Sequence, residues 1–347
     1  MDRMGLRRRA AAAIGLVSLL PLLAGCGDDA AALEVGDVVP AREDDQFAAG
    51  AASFLEIPLG RLEVSLGEPS ASLSDRDTSE FAAMRAPEGS TFVPITWQYD
   101  AGTFGAFAEY VGDDAPSPVI DLVSDGARYR LPPPAESGEG SESFYVLVTG
   151  AAEEVALSVE YDGVVQTLDL VTGEREEGAA AGLYRARKAK RGTRSCKEAA
   201  TFDATQGFPT YRCEISRTIR LPYADGAWAE PGRAWLVMTL TTGMRRFDVY
   251  GPLPGSGALY GAESVRANFR IGERKPVAVL RDPDALCPDI ARGGCTATYH
   301  LVFDGRAAAG APLVIEQRFA LALGTQWGSV DRKATMKFGV HVEAPLR

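Results

Sequence analysis

Strict alternation is the feature that most limits what this chain can fold into. Val155, Leu157, Val159 and Tyr161 occupy every second position, with Ala156, Ser158 and Glu160 between them. A period of two sends successive side chains to opposite faces, which describes a strand and not a helix. A second apolar run, "VVQTLDL", begins directly after Asp162-Gly163, and Asp-Gly between two such runs is the dipeptide of a tight hairpin. Leu62, Val64 and Leu66 repeat the pattern, and so do Val93, Ile95, Trp97 and Tyr99. Pro94 has no amide proton to give a ladder, so an edge strand or a strand start is expected there. With "VIDLV" and "RYRL" around Asp125-Gly126, and then "FYVLV", this predicts about seven short strands across residues 55–172 and no amphipathic helix.

A second block follows Cys196. "YRCEISRTIRL", "AWLVMTL", "RFDVY", "VRANFRI", "VAVL", "TATYHLVFDG", "PLVIEQRFALAL" and "ATMKFGVHVEA" are extended by composition and punctuated by Gly, Pro and Asp. The expected fold is all-β, with two immunoglobulin-like β-sandwich domains at 55–172 and 196–347. In outline both blocks are similar to immunoglobulin-like modules of actinobacterial surface lipoproteins. That likeness rests on pattern and implies no site residues.

Between the blocks, residues 173–195 read "GEREEGAAAGLYRARKAKRGTRS", acidic at one end and basic at the other. Arg185, Arg187, Lys188, Lys190, Arg191 and Arg194 crowd its second half. Charge runs of this kind are usually solvated, so a charged interdomain linker is expected. The other reading is a site for an anionic partner such as a lipid head group or wall polymer. Residues 26–54, rich in Ala, Gly, Asp and Glu with little periodicity, read as a flexible tether.

The N-terminus supplies an address. Arg3, Arg7, Arg8 and Arg9 precede an uncharged run from Ala10 to Ala24. That run is long enough for the apolar region of a signal peptide and too short for a comfortable membrane span. Leu23-Ala24-Gly25-Cys26 then resembles the lipobox of bacterial lipoproteins at every position. The resemblance covers residues 1–26. It implies a signal peptide over 1–25, lipidation of Cys26, and anchoring on the extracytoplasmic face of the cell membrane.

The five cysteines fit that compartment. With Cys26 lipidated, Cys196, Cys213, Cys287 and Cys295 remain, an even set in an exported chain. Their spacings lack the short pairs of zinc sites, so no metal is expected. Near neighbours meet most easily, which predicts Cys196–Cys213 and Cys287–Cys295.

Charge and residue types narrow the chemistry. The formal net charge is −11, and residues 1–25 carry a net +3, leaving about −14 for the remainder. Nucleic acid is a poor partner for such a chain. Histidine occurs only as His300 and His341, both expected at the surface, and no nucleophile elbow or S-x-x-K pair is present. Asp75-Arg76-Asp77 fails as a calcium loop because Glu80 and Ala86 stand where a glycine and a carboxylate are needed. No cofactor and no enzyme activity are expected. The aromatics of "WQYDAGTFGAFAEY", Trp97, Tyr99, Phe104, Phe107 and Tyr110, either present a contact patch on a loop or cap the core. The reading is a membrane-anchored lipoprotein that binds or scaffolds an envelope protein or polymer. The alternative is a glycosidase-like envelope hydrolase using paired carboxylates.

Overall fold

The computed structural model describes residues 33–49, 52–100, 107–112, 114–134, 140–203, 207–281, 294–306, 310–328 and 332–346. Their regular structure is almost entirely strand, as the alternation required. The first half contains β1 (Val38–Pro40), β2 (Ser53–Ile57), β3 (Gly60–Leu66), β4 (Ser72–Leu73), β5 (Met84–Arg85) and β6 (Ser90–Asp100). It continues through β7 (Val119–Ser124), β8 (Ala127–Arg130), β9 (Ser141–Thr149), β10 (Val155–Tyr161), β11 (Val164–Asp169) and β12 (Arg175–Glu176). Two five-stranded antiparallel sheets result, in the orders β1-β9-β6-β3-β2 and β12-β11-β10-β7-β8, and β4 pairs β5 apart from them. Their apolar faces share one core, with Leu55, Val64, Ile95 and Trp97 from one sheet against Ile120, Leu122, Leu157 and Leu168 from the other.

The hairpin signals hold. Asp125-Gly126 and Asp162-Gly163 both have positive φ at each residue, the backbone that a two-residue turn between twisted strands needs. Pro94 departs from expectation, because β6 is a central strand, flanked by β9 and β3. The exception has a local cause. The β3 pairing ends at Leu66↔Ile95, so the edge of β6 at Pro94 meets only the chain leaving β3, where the Pro94 carbonyl accepts the Gly67 amide at 2.9 Å.

The second half contains β13 (Thr193–Ser195), β14 (Ala200–Phe202), β15 (Phe208–Ser216), β16 (Ile219–Leu221), β17 (Tyr223–Ala224), β18 (Ala227–Trp228) and β19 (Trp235–Tyr250). Then come β20 (Gly257–Ile271), β21 (Ala278–Arg281), β22 (Cys295–Asp304), β23 (Leu313–Trp327) and β24 (Thr335–Ala344). Its main sheet curls on itself because β19 serves two neighbours along one edge. Trp235–Met244 pairs β22, and Phe247–Tyr250 pairs β20. β20, β23, β24 and β14 continue from there. The core lies inside the curl, where Leu240, Phe247, Tyr299, Phe303, Phe319 and Phe338 meet.

Two stretches read as unstructured take part in the fold. Within 26–54, β1 pairs β9, and the Gln46 amide donates to Ser143 Oγ at 3.0 Å. Within 173–195, Arg175 and Glu176 add β12 to a sheet, Ala181–Arg187 forms helix α1, and β13 pairs β15. Ala180, Leu183 and Tyr184 are buried together, against Phe54, Val164 and Trp228. That spacing is helical and its face is apolar, which the surrounding charges obscured. Residues 34–347 accordingly form one compact unit.

Candidate functional site

The two halves meet along a joint built from a few side chains of each. Tyr184 on α1 is its most constrained member. Its hydroxyl donates to Gln166 Oε1 at 2.7 Å and accepts the Glu56 amide at 3.0 Å, while Gln166 Nε2 donates to the Glu56 carbonyl at 2.8 Å. All three residues are buried, so each bond replaces one that water would otherwise make. Burial pushes the Tyr184 phenol up to about 12, which keeps it neutral and able to donate. The Arg175 guanidinium lies over the rings of Phe54 and Tyr184, at 4.3 and 4.7 Å from their centroids.

A second fastening lies at residues 107–111. Phe107 and Tyr110 pack with Ala186, Ile219, Leu221 and Val302, so this loop of the first half sits in a pocket of the second. The β17–β18 turn, Asp225-Gly226, donates its two amides to the carbonyls of Tyr110 and Val111 at 2.8 and 2.9 Å. Thr239 Oγ1 donates to Glu109 Oε1 at 3.0 Å, lies 2.8 Å from the Tyr110 hydroxyl, and is 3.2 Å from His300 Nδ1. A threonine has one hydroxyl proton. Given to the Glu109 carboxylate, it ties the loop at 107–111 to β19, and the cluster fastens the joint. His300 was expected at the surface. It is buried instead, 9% exposed, because the loop at Tyr110 covers it edge-on, with ring centroids 5.6 Å apart.

Where α1 leaves the joint, a cleft of roughly 950 Å³ opens between it, β16, the turn at 229–234 and the turn after β22. Four arginines line it: Arg185 from α1, Arg220 from β16, and Arg233 and Arg306 from the two turns. Its carboxylates are Glu230 and Asp304, so the cleft carries a net formal charge of +2 from four guanidiniums and two acids. Each acid is already held. Arg233 Nη1 lies 2.6 Å from Glu230 Oε2, and Arg306 Nη2 lies 2.9 Å from Asp304 Oδ2. Arg306 keeps the Asp304 carboxyl below its usual range. The Arg220 guanidinium donates to the Gly305 carbonyl at 3.2 Å. Gly305 cannot carry a side chain, because a Cβ there would come within 2.0 Å of the Ala234 carbonyl oxygen. Among the described residues, neither Arg185 nor Arg220 has a carboxylate within 4.0 Å.

The residues singled out from sequence divide clearly. Trp97 is buried, donates to Glu142 Oε2 at 2.7 Å and packs edge-on against Phe144. Tyr99 packs on the same core, and Phe107 and Tyr110 are buried in the joint. Trp97, Phe107 and Tyr110 are therefore interior, and Tyr99 is half-buried. Phe104, Cys26 and Cys287 lie outside the described residues. Cys196 and Cys213 form a disulfide with Cα atoms 5.0 Å apart, and Cys295 is buried and disulfide-bonded. His341 stands on the outer face beside Glu343, at 3.3 Å. The sequence reading missed Arg220, Arg233 and Arg306, which lie far apart in the chain and converge only through the β16–β19–β22 pairing. No protein-family model matches the chain, and no match to a curated protein is found.

Proposed function

We propose that this protein is a lipid-anchored, extracytoplasmic lipoprotein whose folded part is a binding or scaffolding module of the cell envelope. The observation that carries this reading is the order of the N-terminal sequence: arginines, an uncharged apolar run, then Leu23-Ala24-Gly25-Cys26. The disulfide between Cys196 and Cys213 supports it, since such bonds persist in oxidising compartments. Binding is favoured over hydrolysis by the state of the acids in the cleft. A glycosidase needs a carboxylic acid whose pKa is raised, so that it stays protonated until it gives its proton to the leaving group. Asp304 is shifted the opposite way, and Glu230 is paired with Arg233.

The test is metabolic labelling with a fatty acid analogue. Wild-type protein takes up the label and sediments with membranes. Cys26→Ser takes up none and keeps its signal peptide. Equal labelling of this variant and the wild type refutes the anchor.

A further inference from the structure

We propose that the arginine-lined cleft beside α1 binds a polyanionic chain of phosphodiesters joined by small polyols and not a nucleic acid, since its described lining holds no aromatic ring for a base to stack on. The inference rests on the binding reading above but not on the lipid anchor. Three observations carry it. First, Arg185 and Arg220 flank the cleft with guanidiniums free of any carboxylate among the described residues, in a protein whose overall balance is acidic. A guanidinium fork matches the two non-bridging oxygens of a phosphodiester. Second, the volume of roughly 950 Å³ is far more than one phosphate fills, and its four arginines come from four separate segments. Third, the accessible lining includes small apolar residues, among them Ala181, Ala189 and Ala229, which suits the uncharged carbons between successive anions. A phosphodiester chain carries its charge in the backbone. Lying along that surface, it brings each anion to an arginine while the chain runs on in both directions. Arg233 and Arg306 then act at the rim, sharing their charge between the ligand and Glu230 or Asp304.

The experiment uses the processed full-length protein in a neutral detergent and a fluorescent poly(glycerol phosphate) as the probe, read by anisotropy. Binding at low salt is expected. For two backbone contacts, with a salt exponent of about 0.7 each, affinity should fall about sevenfold between 50 and 200 mM salt. Arg185→Ala with Arg220→Ala should weaken binding by about tenfold or more with an unchanged melting curve, because both side chains are exposed. Arg185→Lys with Arg220→Lys keeps the charge but loses the fork, and should fall between. Lys190→Ala, a neighbouring exposed cation outside the cleft, should bind as wild type. The proposal is overturned if the polymer does not bind, if the double alanine variant binds as tightly as wild type, or if a short-chain phosphatidylglycerol or a polycarboxylate displaces the probe better than unlabelled polymer. Fatty acid labelling of Cys26 is unaffected by any of these results, so failure of the cleft and failure of the anchor are told apart.

Discussion

Tyr184→Phe removes one oxygen from the joint and tests whether residues 173–195 are docked. The ring keeps its burial, so the hydrophobic contribution is unchanged. Two groups lose their partner, the Glu56 amide and Gln166 Oε1, and both are buried. Each orphaned group costs about 1 to 3 kcal/mol. The surviving bond from Gln166 Nε2 to the Glu56 carbonyl limits rearrangement, so the low end applies and the loss should be about 2 kcal/mol. Two measurements read it. In chemical denaturation the midpoint should drop with no change in slope. In brief trypsin digestion of the folded protein, cleavage after Arg185, inside α1, requires the helix to open, and opening made 2 kcal/mol easier should speed it about thirtyfold. A solvated linker predicts something else: a change within about 0.5 kcal/mol and equal digestion of variant and wild type. That result would refute the docked helix.

Other outcomes follow from the same geometry. Thr239→Val keeps the shape but removes the hydroxyl that links Glu109, Tyr110 and His300, and should cost about 2 kcal/mol in thermal or chemical unfolding. Cys196→Ala with Cys213→Ala opens a loop of sequence separation 17 and should cost about 3 kcal/mol, read against wild type without reductant. Alkaline pH should destabilise the fold. Burial raises Tyr99, Tyr145, Tyr184 and Tyr223 to about 12, and each is near 10 when unfolded. The folded state then holds protons that the unfolded state releases, so their contribution is intact below pH 10 and is lost as pH rises toward 12. Ultraviolet phenolate absorbance should lag well behind that of free tyrosine, and a normal titration would contradict the burial.

The all-β class was legible because it depends on local alternation, which each strand carries within its own few residues. Val155 to Tyr161 and the Asp162-Gly163 turn needed no knowledge of distant partners, and the structure pairs them as read. The near-neighbour disulfide was legible for a similar reason, since Cys196 and Cys213 lie on either side of a short excursion. What failed was local reading where two weak signals overlapped. Ala180, Leu183 and Tyr184 carry a helical apolar face inside a run of charges, and the charges dominated the composition. Pro94 misled because its effect depends on where the neighbouring strand ends, which its own sequence does not state. His300 misled, and the aromatics at 107 and 110 stayed undecided between contact patch and core, because burial there is created by the other half of the molecule. The arginine cleft was not legible, as its members come from four segments brought together by tertiary pairing.

The joint and the cleft are mechanically one object, and that links the two proposals to a single structural cause. α1 presents Tyr184 and Leu183 to the first half and Arg185 and Ala186 to the cleft and the second half. Adjacent residues on a helix face different ways, so fixing Tyr184 by its two hydrogen bonds fixes the direction of Arg185. Arg220 is set independently, by β16 pairing with β19 and by its bond to Gly305. A helix already held in place presents Arg185 to an anion without first losing segmental freedom. Loosening α1 with Tyr184→Phe should therefore weaken polymer binding, even though Tyr184 does not line the cleft. Restoring rigidity should recover it. A variant that melts as expected but binds as tightly as wild type would show that α1 does not aim Arg185, and that the cleft draws its affinity from β16 and the two turns alone.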